Sequence, residues 1–507
     1  MLDGRDPACD NPPVTHQPGL FTDEPAPPDP PAASSADIGA LPQPTISRTT
    51  GRLLGVALAL AILAPALLIA ACSWKSFSSG NGGFGPGAPN DPFYDPARHI
   101  GEPTIRVRIA RAEPTITIDA QGPSTTTLLT VAPAFAPHLA NTITAPIQVT
   151  LGPTAWRIID GLGATRTIPR KDAGAAPPHA DTLTIHAPMN TILSFDGAQR
   201  PGDIVLHALT DAPGAQSALA IDVVEHVPIE LYLAGVVAKE LYSSWHLETF
   251  KAQAIAARSY VLHERRRRAA NDAYVDVEAS TRNQAYIGHT TNRTALRAVE
   301  QTRGVVLTWQ GQVLRAYYSS TVGGRAASAG DTWPTSAGFE FNAAGPIQAS
   351  PRTDVDDFSP LYRWTVERSR DELSQRLRAW AQAQGSLLRQ VQLVKRIEVS
   401  QRNEYQRPTR YRIYDDDDKW YELSAEALRV ACNTSTQALP FPSNKQRINS
   451  SDFDVDTKSD TLVFRGRGFG HGVGMSQYGA EGMARAGLTA DDILAHYYPG
   501  ATLERAY

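Results

Sequence analysis

The alternation of apolar and polar residues between positions 104 and 209 predicts a series of short β-strands. Ile105, Val107 and Ile109 alternate with Arg106 and Arg108, which is typical of a strand with one buried face. Comparable runs, most of them bounded by Pro, Gly, Asn or Asp, occupy 104–110, 115–119, 125–131, 147–151, 156–160, 182–186, 191–195 and 203–209. The pattern predicts a β-rich scaffold over residues 100–222, without a dinucleotide-binding or P-loop motif.

A change to helical spacing follows in residues 227–268. One apolar face predicts an amphipathic helix, with Ser244 as its N-cap and Glu248 in its first turn. A shorter apolar helical pattern over 232–241 precedes it. The residues of the predicted apolar face are Leu247, Phe250, Ala254, Ala257 and Val261.

The last part of the chain combines an insertion with a glycine-rich motif. Residues 351–445 form the predicted insertion, in which 368–384 has a helical pattern. Glycine then occupies every second position from Gly466 to Gly474, around His471. Residues without a side chain suit a segment that something approaches closely, either a sugar strand or a second stretch of backbone. The spacing fits neither a nucleotide-binding loop nor a Gly-x-Ser-x-Gly nucleophile elbow.

Two helices are predicted after this motif. Residues 476–486 have a helical pattern that Gly487 ends. Thr489 and Asp492 then have the spacing of a capping box for a helix that precedes Pro499.

A run of twenty residues without a charge, 53–72, predicts a membrane segment, because it spans about 30 Å as a helix. Arg48 and Arg52 precede it and only Lys75 follows closely, which predicts a cytoplasmic N-terminus and an extracytoplasmic remainder. The run ends in a sequence that resembles a bacterial lipobox, with Cys72 as the residue to be acylated. An uncleaved single-span anchor, a lipoprotein signal and a buried soluble helix all stay open.

Composition divides the chain on either side of this run. Residues 1–52 contain 11 of the 38 prolines and carry seven acidic and three basic residues, which accounts for the whole net charge of −4. We interpret them as a disordered cytoplasmic tail, and the Ser/Gly/Pro-rich residues 73–99 as a flexible linker. The rest of the chain is neutral, so no sequence-wide positive field favours a nucleic-acid partner. Three cysteines are too few for a disulfide framework or a cysteine-based zinc site.

Glu240 stands out as a candidate general acid. It lies near the end of the first predicted helix, beside Leu241, Tyr242 and Trp245. Partial desolvation by these side chains would raise its pKa and favour the protonated form that an acid catalyst needs. A solvated helix residue is the alternative interpretation.

The surrounding stretch, IELYLAGVVAKELYSSWHLETFKAQAIAARSY, resembles the signature of the SpoIID/LytB family of bacterial cell-wall proteins. Further matching blocks are spread over residues 283–286, 298–307, 317–324, 466–484 and 493–507, so the resemblance covers residues 227–507. It implies a mixed α/β core over 223–507, in which Glu240 is the catalytic acid of a lytic transglycosylase acting on peptidoglycan glycan strands. The other residues expected in the substrate groove are Arg258, Ser319, Ser320, His471 and Gln477.

Two alternatives to the enzyme stay open. The LytB branch of the family is associated with enhancement of a cell-wall amidase, so a non-catalytic peptidoglycan-binding activator is one, and a purely structural envelope protein is the other. Some members carry zinc-associated cysteine and histidine residues where this chain has Asn283, Val322 and Arg325. We therefore expect neither a metal nor a cofactor.

Overall fold

The computed structural model of the protein describes residues 101–122, 127–171, 181–209, 219–271, 273–280, 283–351, 355–436 and 438–507. The predicted tail, membrane segment and linker lie outside these ranges. Within them, no helix combines the length and the apolar character needed to cross a membrane.

Two β-sheets form the N-terminal part of the described chain. Their strands are β1 (Thr104–Glu113), β2 (Thr115–Gln121), β3 (Leu128–Pro133), β4 (Asn141–Thr144), β5 (Ile147–Leu151), β6 (Ala155–Ile159), β7 (Thr165–Pro169), β8 (Thr182–His186), β9 (Ile192–Phe195), β10 (Ala198–Arg200), β11 (Asp203–Leu209), β12 (Ala220–Pro228) and β13 (Val277–Glu278). One sheet has the order β13-β1-β12-β11-β8-β3-β4 and the other β10-β9-β2-β5-β6-β7. Neighbouring strands are antiparallel except β1 and β13.

The two sheets pack face to face around an apolar core. In β6, Trp156 and Ile158 are buried whereas Arg157 between them is exposed, so alternation in the sequence becomes a buried and a solvated face. The indole of Trp156 donates to Asp181, which satisfies its polar group inside the core. All eight predicted strands are present, and β4, β7, β10, β12 and β13 are additional to them.

The described ranges contain eight α-helices. They are α1 (Ile229–Glu240), α2 (Leu247–Ala269), α3 (Arg293–Gln301), α4 (Ala329–Thr332), α5 (Arg370–Ala383), α6 (Ala425–Asn433), α7 (Gln477–Arg485) and α8 (Ala490–Tyr497). The capping box of α8 is formed as predicted: the Thr489 hydroxyl accepts from the Asp492 amide, and the Asp492 carboxylate accepts from the Thr489 amide.

Helix α2 lies between two hydrophobic cores. Phe250 and Ala254 face the core shared with α1, α3 and β1, whereas Ile255 and Tyr260 face the core shared with α7 and α8. The predicted single apolar face was therefore incomplete, because small residues let neighbouring elements cover a second side of the helix. The predicted N-cap was wrong: His246 occupies that position and makes no side-chain capping bond.

The remaining strands form smaller sheets. They are β14 (Val305–Trp309), β15 (Gln312–Val313), β16 (Tyr318–Ser319), β17 (Arg363–Ser369), β18 (Val394–Arg402), β19 (Pro408–Asp415), β20 (Trp420–Ser424), β21 (Phe453–Thr457), β22 (Thr461–Arg467), β23 (Met475–Ser476) and β24 (Thr502–Arg505). β14 pairs with β15 and β24, and β16 pairs with β23 in parallel.

The region of the predicted insertion has its own core. Two three-stranded sheets, β17-β22-β21 and β18-β19-β20, pack with α5 and α6 around Tyr411, Phe453 and Phe464. Helix α5 corresponds to the helix predicted over 368–384. This core includes residues beyond position 445, and the domain boundaries drawn from the sequence stay predictions.

The alternate glycines at the end of this region let other segments of the same chain pack closely against them. Gly474 has φ +72°, and a Cβ there would lie 1.9 Å from the Tyr317 carbonyl oxygen. At Gly468, with φ +77°, it would lie 2.5 Å from the Thr321 carbonyl oxygen. The sequence left open whether a sugar strand or a second stretch of backbone approaches these glycines. At Gly468 and Gly474 the structure shows a second stretch of backbone.

The described part of the chain is therefore a mixed α and β protein, as the sequence predicted. A β-sandwich comes first, and a helical core with small sheets follows. The end of α1 and the start of α7 meet in that second part, where Glu240 lies.

Candidate active site

Glu240 is the last residue of α1, and its carboxylate lies where three segments of chain meet. The Gln477 side-chain amide at the start of α7 donates to Oε2 at 3.0 Å. The backbone amide of Ala285 donates to Oε1 at 3.4 Å. Gln477 and Glu240 are 237 positions apart in the sequence. The fold thus brings together two of the residues predicted for the site.

The environment of Glu240 favours its protonated form. Desolvation raises the pKa of the carboxyl above its ordinary value, although the hydrogen bonds from Gln477 and Ala285 and the charge of Lys239 act in the opposite direction. The residue as a whole is nevertheless partly exposed at the end of its helix. A carboxyl with a raised pKa retains the proton that a general acid must donate.

Buried side-chain amides hold this arrangement in place. The Gln477 side-chain amide also donates to the side-chain Oε1 of Gln253 on α2, at 3.4 Å. Gln284, next to Ala285, accepts from the Tyr232 hydroxyl at 3.0 Å and donates to the Tyr318 hydroxyl at 3.0 Å. Because Tyr232 lies on α1 and Tyr318 on β16, the two bonds to Gln284 fix the loop that carries the Ala285 amide.

Ser319 and Ser320 lie beside the start of α7. Ser319 is buried and is paired with Ser476 in the parallel ladder between β16 and β23. The Ser320 carbonyl accepts from the Tyr478 amide at 3.0 Å. The backbone of the two residues therefore positions the end of α7 that presents Gln477 to Glu240.

His471 is held among aromatic rings. Its ring lies edge-on to Trp333, with centroids 5.0 Å apart, and its Nδ1 accepts from the Val473 amide at 3.1 Å. Burial lowers the pKa of this imidazole to about 4, so it is neutral at neutral pH. These contacts hold the imidazole in a fixed position, and the residue retains partial exposure.

Arg258 is not brought to the Glu240 carboxylate. Its guanidinium is fully buried and donates to both carboxylate oxygens of Glu230, at 3.1 and 2.6 Å, and to the Val305 carbonyl. A guanidinium whose donors are used in this way inside the protein has a structural role here. The helical pattern of α2 did not reveal this burial.

Comparison with known proteins places this site in a family. The profile described as SpoIID, Stage II sporulation protein, matches residues 217–309. The chain is 30% identical over 297 residues to Stage II sporulation protein D of Bacillus subtilis (strain 168), covering 56% of the chain and 76% of that protein. The chain belongs to the SpoIID/LytB family.

Two other relatives match the chain over a similar number of residues but over very different shares of their own length. The chain is 29% identical over 300 residues to the amidase enhancer of the same organism, but covers only 40% of that longer protein. It is 27% identical over 337 residues to Stage II sporulation protein D of Bacillus amyloliquefaciens, covering 61% of the chain and 87% of that protein. Residues 348–474 match a second profile, Domain of unknown function (DUF8618).

The zinc-associated positions of some SpoIID/LytB members do not fit a metal in this chain. Val322 is buried and apolar, and Arg325 forms an ion pair with Asp452. The Asn283 side chain is occupied by the Glu278 amide and the Tyr260 hydroxyl. Across the described residues, no group of His, Cys, Asp and Glu side chains is arranged to hold a metal ion.

An aromatic cluster beside Glu240 was only partly anticipated. Tyr242 and Trp245 were expected to desolvate the carboxyl, and their ring centroids lie 5.3 Å apart. Tyr478 contacts both of them, and Phe358 packs on Tyr478 at 5.3 Å. Sequence reasoning missed Phe358, because it lies in the DUF8618 region and reaches the site only through the fold.

Proposed function

We propose that this protein is a peptidoglycan lytic transglycosylase that cleaves glycan strands and leaves 1,6-anhydro-muramyl ends. The observation that carries this proposal is the Glu240 carboxyl at the end of α1, which Gln477 and Ala285 hold in place and whose pKa desolvation raises. Membership of the SpoIID/LytB family supports a role in the cell wall.

In the proposed reaction, Glu240 first donates its proton to the glycosidic oxygen, and the bond from that oxygen to C1 of the muramyl sugar breaks. The C6 hydroxyl of the same sugar then bonds to C1 and loses its proton, either to the Glu240 carboxylate or to a water molecule. The C6 hydroxyl thus takes the place of an attacking water. Atoms balance without a cofactor, because the proton returned to the carboxylate replaces the one donated.

The proposed route differs from paired-carboxylate hydrolysis in the number of carboxyl groups that it needs. Glycosidases of that type place two carboxyl groups about 5 to 9.5 Å apart across the scissile bond. An intramolecular attack by the sugar hydroxyl needs one acid that later acts as a base.

A second candidate function is activation of a cell-wall amidase without glycan cleavage. The similarity to a protein named amidase enhancer favours it. In that case the surface around Glu240 would bind glycan strands, and the partner would be a separate amidase.

We also propose that the protein acts at the outer face of a bacterial membrane, tethered through residues 53–72. The support is the uncharged composition of that run and the arginines before it. Membrane fractionation with external protease treatment tests this, because protection of the C-terminal half in intact cells contradicts it.

The test of the enzymatic proposal uses the full-length chain and purified glycan strands without stem peptides. We expect mass spectrometry to show anhydro-muramyl ends, and Glu240→Gln to lower the rate by about 100-fold or more. Glu398→Gln, on an exposed position of β18, is the control and should cleave normally.

The outcome that rejects the enzyme is also specific. If wild type and Glu240→Gln both bind strands and neither forms anhydro ends, Glu240 is not a catalytic acid. Release of stem peptides by an added amidase, measured with and without the protein, then tests the activator.

A further inference from the structure

A short segment of the DUF8618 region, residues 355–359, lies across α7 beside the Glu240 cluster; we name it the rim segment. Asp356 fixes it, since this side chain is fully buried. Its Oδ2 accepts from the Thr321 and Ser476 hydroxyls and from the amides of Val322 and Gly323. Ser476 is the N-cap of α7, so the rim segment is attached to the end of the helix that carries Gln477.

The sequence of α7 accommodates the rim segment. A Cβ at Gly482 would lie 2.3 Å from the Val355 carbonyl oxygen and 3.1 Å from its Cβ. A side chain at that helix position would therefore push the segment away. Asp356 on one side and Gly482 on the other make this contact a specific packing arrangement.

The rim segment presents apolar side chains to solvent. Val355 is 41% exposed and Phe358 is 38% exposed. The Phe358 ring packs on Tyr478, and the Arg485 guanidinium lies 4.3 Å from its centroid. Burial of Asp356 therefore holds a phenyl ring at the surface in a fixed position.

This exposed ring is continuous with the Glu240 cluster. Tyr478 directly follows Gln477, whose amide donates to Glu240. The Tyr478 and Tyr242 hydroxyls are 3.3 Å apart, and Tyr242 lies two residues after Glu240. A chain of ring contacts therefore runs from the exposed Phe358 through the buried Tyr478 to the half-buried Tyr242 at the end of α1.

We infer that Phe358 contacts the glycan strand and that, with Tyr242 and Arg485, it forms a subsite for one sugar ring beside the scissile bond. This rests on the proposed glycan substrate. A pyranose ring has an apolar C–H face, which suits the phenyl ring, and hydroxyl edges, which suit the guanidinium and phenol donors. Two exposed apolar side chains are too small a patch for a stable protein interface of about 1,000 Å² or more.

Binding of labelled glycan strands without stem peptides to the full-length Glu240→Gln chain tests the inference, because cleavage is then absent. We expect Phe358→Ala to weaken binding about tenfold, as loss of an aromatic contact residue does. Phe358→Leu should weaken it without changing the melting temperature, and Phe358→Trp should restore it.

Phe441 provides a matched control. It is 55% exposed and has the Arg447 guanidinium 5.1 Å above its ring. Phe441→Ala should bind strands as the parent does.

Each outcome decides a separate question. The subsite is overturned if Phe358→Ala binds strands as tightly as the parent, the full-length Glu240→Gln chain. It is also overturned if Phe441→Ala weakens binding as much as Phe358→Ala does, or if the parent binds no strands. If the chain with Glu240 intact forms no anhydro ends but binding depends on Phe358, the enzymatic proposal fails and the subsite stands.

Discussion

Two opposing effects meet at the Glu240 carboxyl. Desolvation raises its pKa, whereas the Gln477 amide, donating to Oε2, stabilises the ionised form. Gln477 therefore limits how far the pKa rises. In the proposed mechanism the acid works only while protonated, so activity is present below its pKa and is lost as the pH rises through it.

Replacement of Gln477 tests this balance. Gln477→Leu removes the donor, so the pKa of Glu240 should increase and the alkaline limb of the kcat/KM profile should move to higher pH. Gln375→Leu, on α5, is the control and should leave the profile unchanged. A limb that stays in place or moves to lower pH contradicts the assignment of Gln477.

A second buried carboxylate, Glu230, shows the contrasting case. Desolvation raises its pKa, but the adjacent Arg258 guanidinium, together with donors from Tyr507 and Gly304, lowers the pKa below its ordinary value overall. The stability that the ion pair contributes is therefore present above the unfolded pKa of about 4.3 and is lost as the pH falls through the lower folded value.

Arg258→Met should destabilise the protein by about 3 to 5 kcal/mol at pH 7, because it leaves the Glu230 carboxylate buried without its cation. Urea unfolding measures this loss. Addition of Glu230→Gln should recover part of it. A single variant as stable as wild type, or a double variant no better than the single one, would show that the pair does not act as described.

At the scale of elements, helices and strands with a regular apolar pattern could be predicted from the sequence. Close contacts between distant segments could not. The strands of the sandwich and the capping box of α8 follow from residues near in sequence. β4, β7 and β10 were missed because each buries only one residue and therefore shows no apolar alternation. β12 was missed because it is buried on nearly all positions and therefore lacks alternation.

The glycine-rich segment gives a test at this scale. Gly474 and Gly487 both have positive φ, but only Gly474 has a backbone atom within 4 Å of its missing Cβ. Gly474→Ala should lower the free energy of unfolding by about 2 to 4 kcal/mol. Gly487→Ala should lower it by about 1 to 2 kcal/mol, because the alanine is strained there only by its left-handed conformation. Urea midpoints compare them, and equal losses would show that the contact with Tyr317 is unimportant.

At the scale of the whole molecule, the site is assembled from distant parts of the chain. The sequence indicated Glu240 through its neighbours and its family motif, and Gln477 through the motif alone. Two contacts of the site join residues that are more than a hundred positions apart in the sequence. They are the contact of Gln477 with the Glu240 carboxylate and the contact of Phe358 with Tyr478. Local periodicity holds no information about such contacts, and it could not distinguish the buried Arg258 from a residue of the groove.

The positions at which the chain enters and leaves the core of the DUF8618 region bear on how the protein can evolve. Its first and last core strands, β17 and β22, are direct antiparallel neighbours, with Arg363 opposite Arg467. A stretch of chain whose two ends lie side by side can be acquired, exchanged or deleted by a single recombination event without rethreading the rest. The residues between β17 and β22 can therefore be exchanged in evolution while Glu240 and the rim segment, which lie outside this stretch, stay in place.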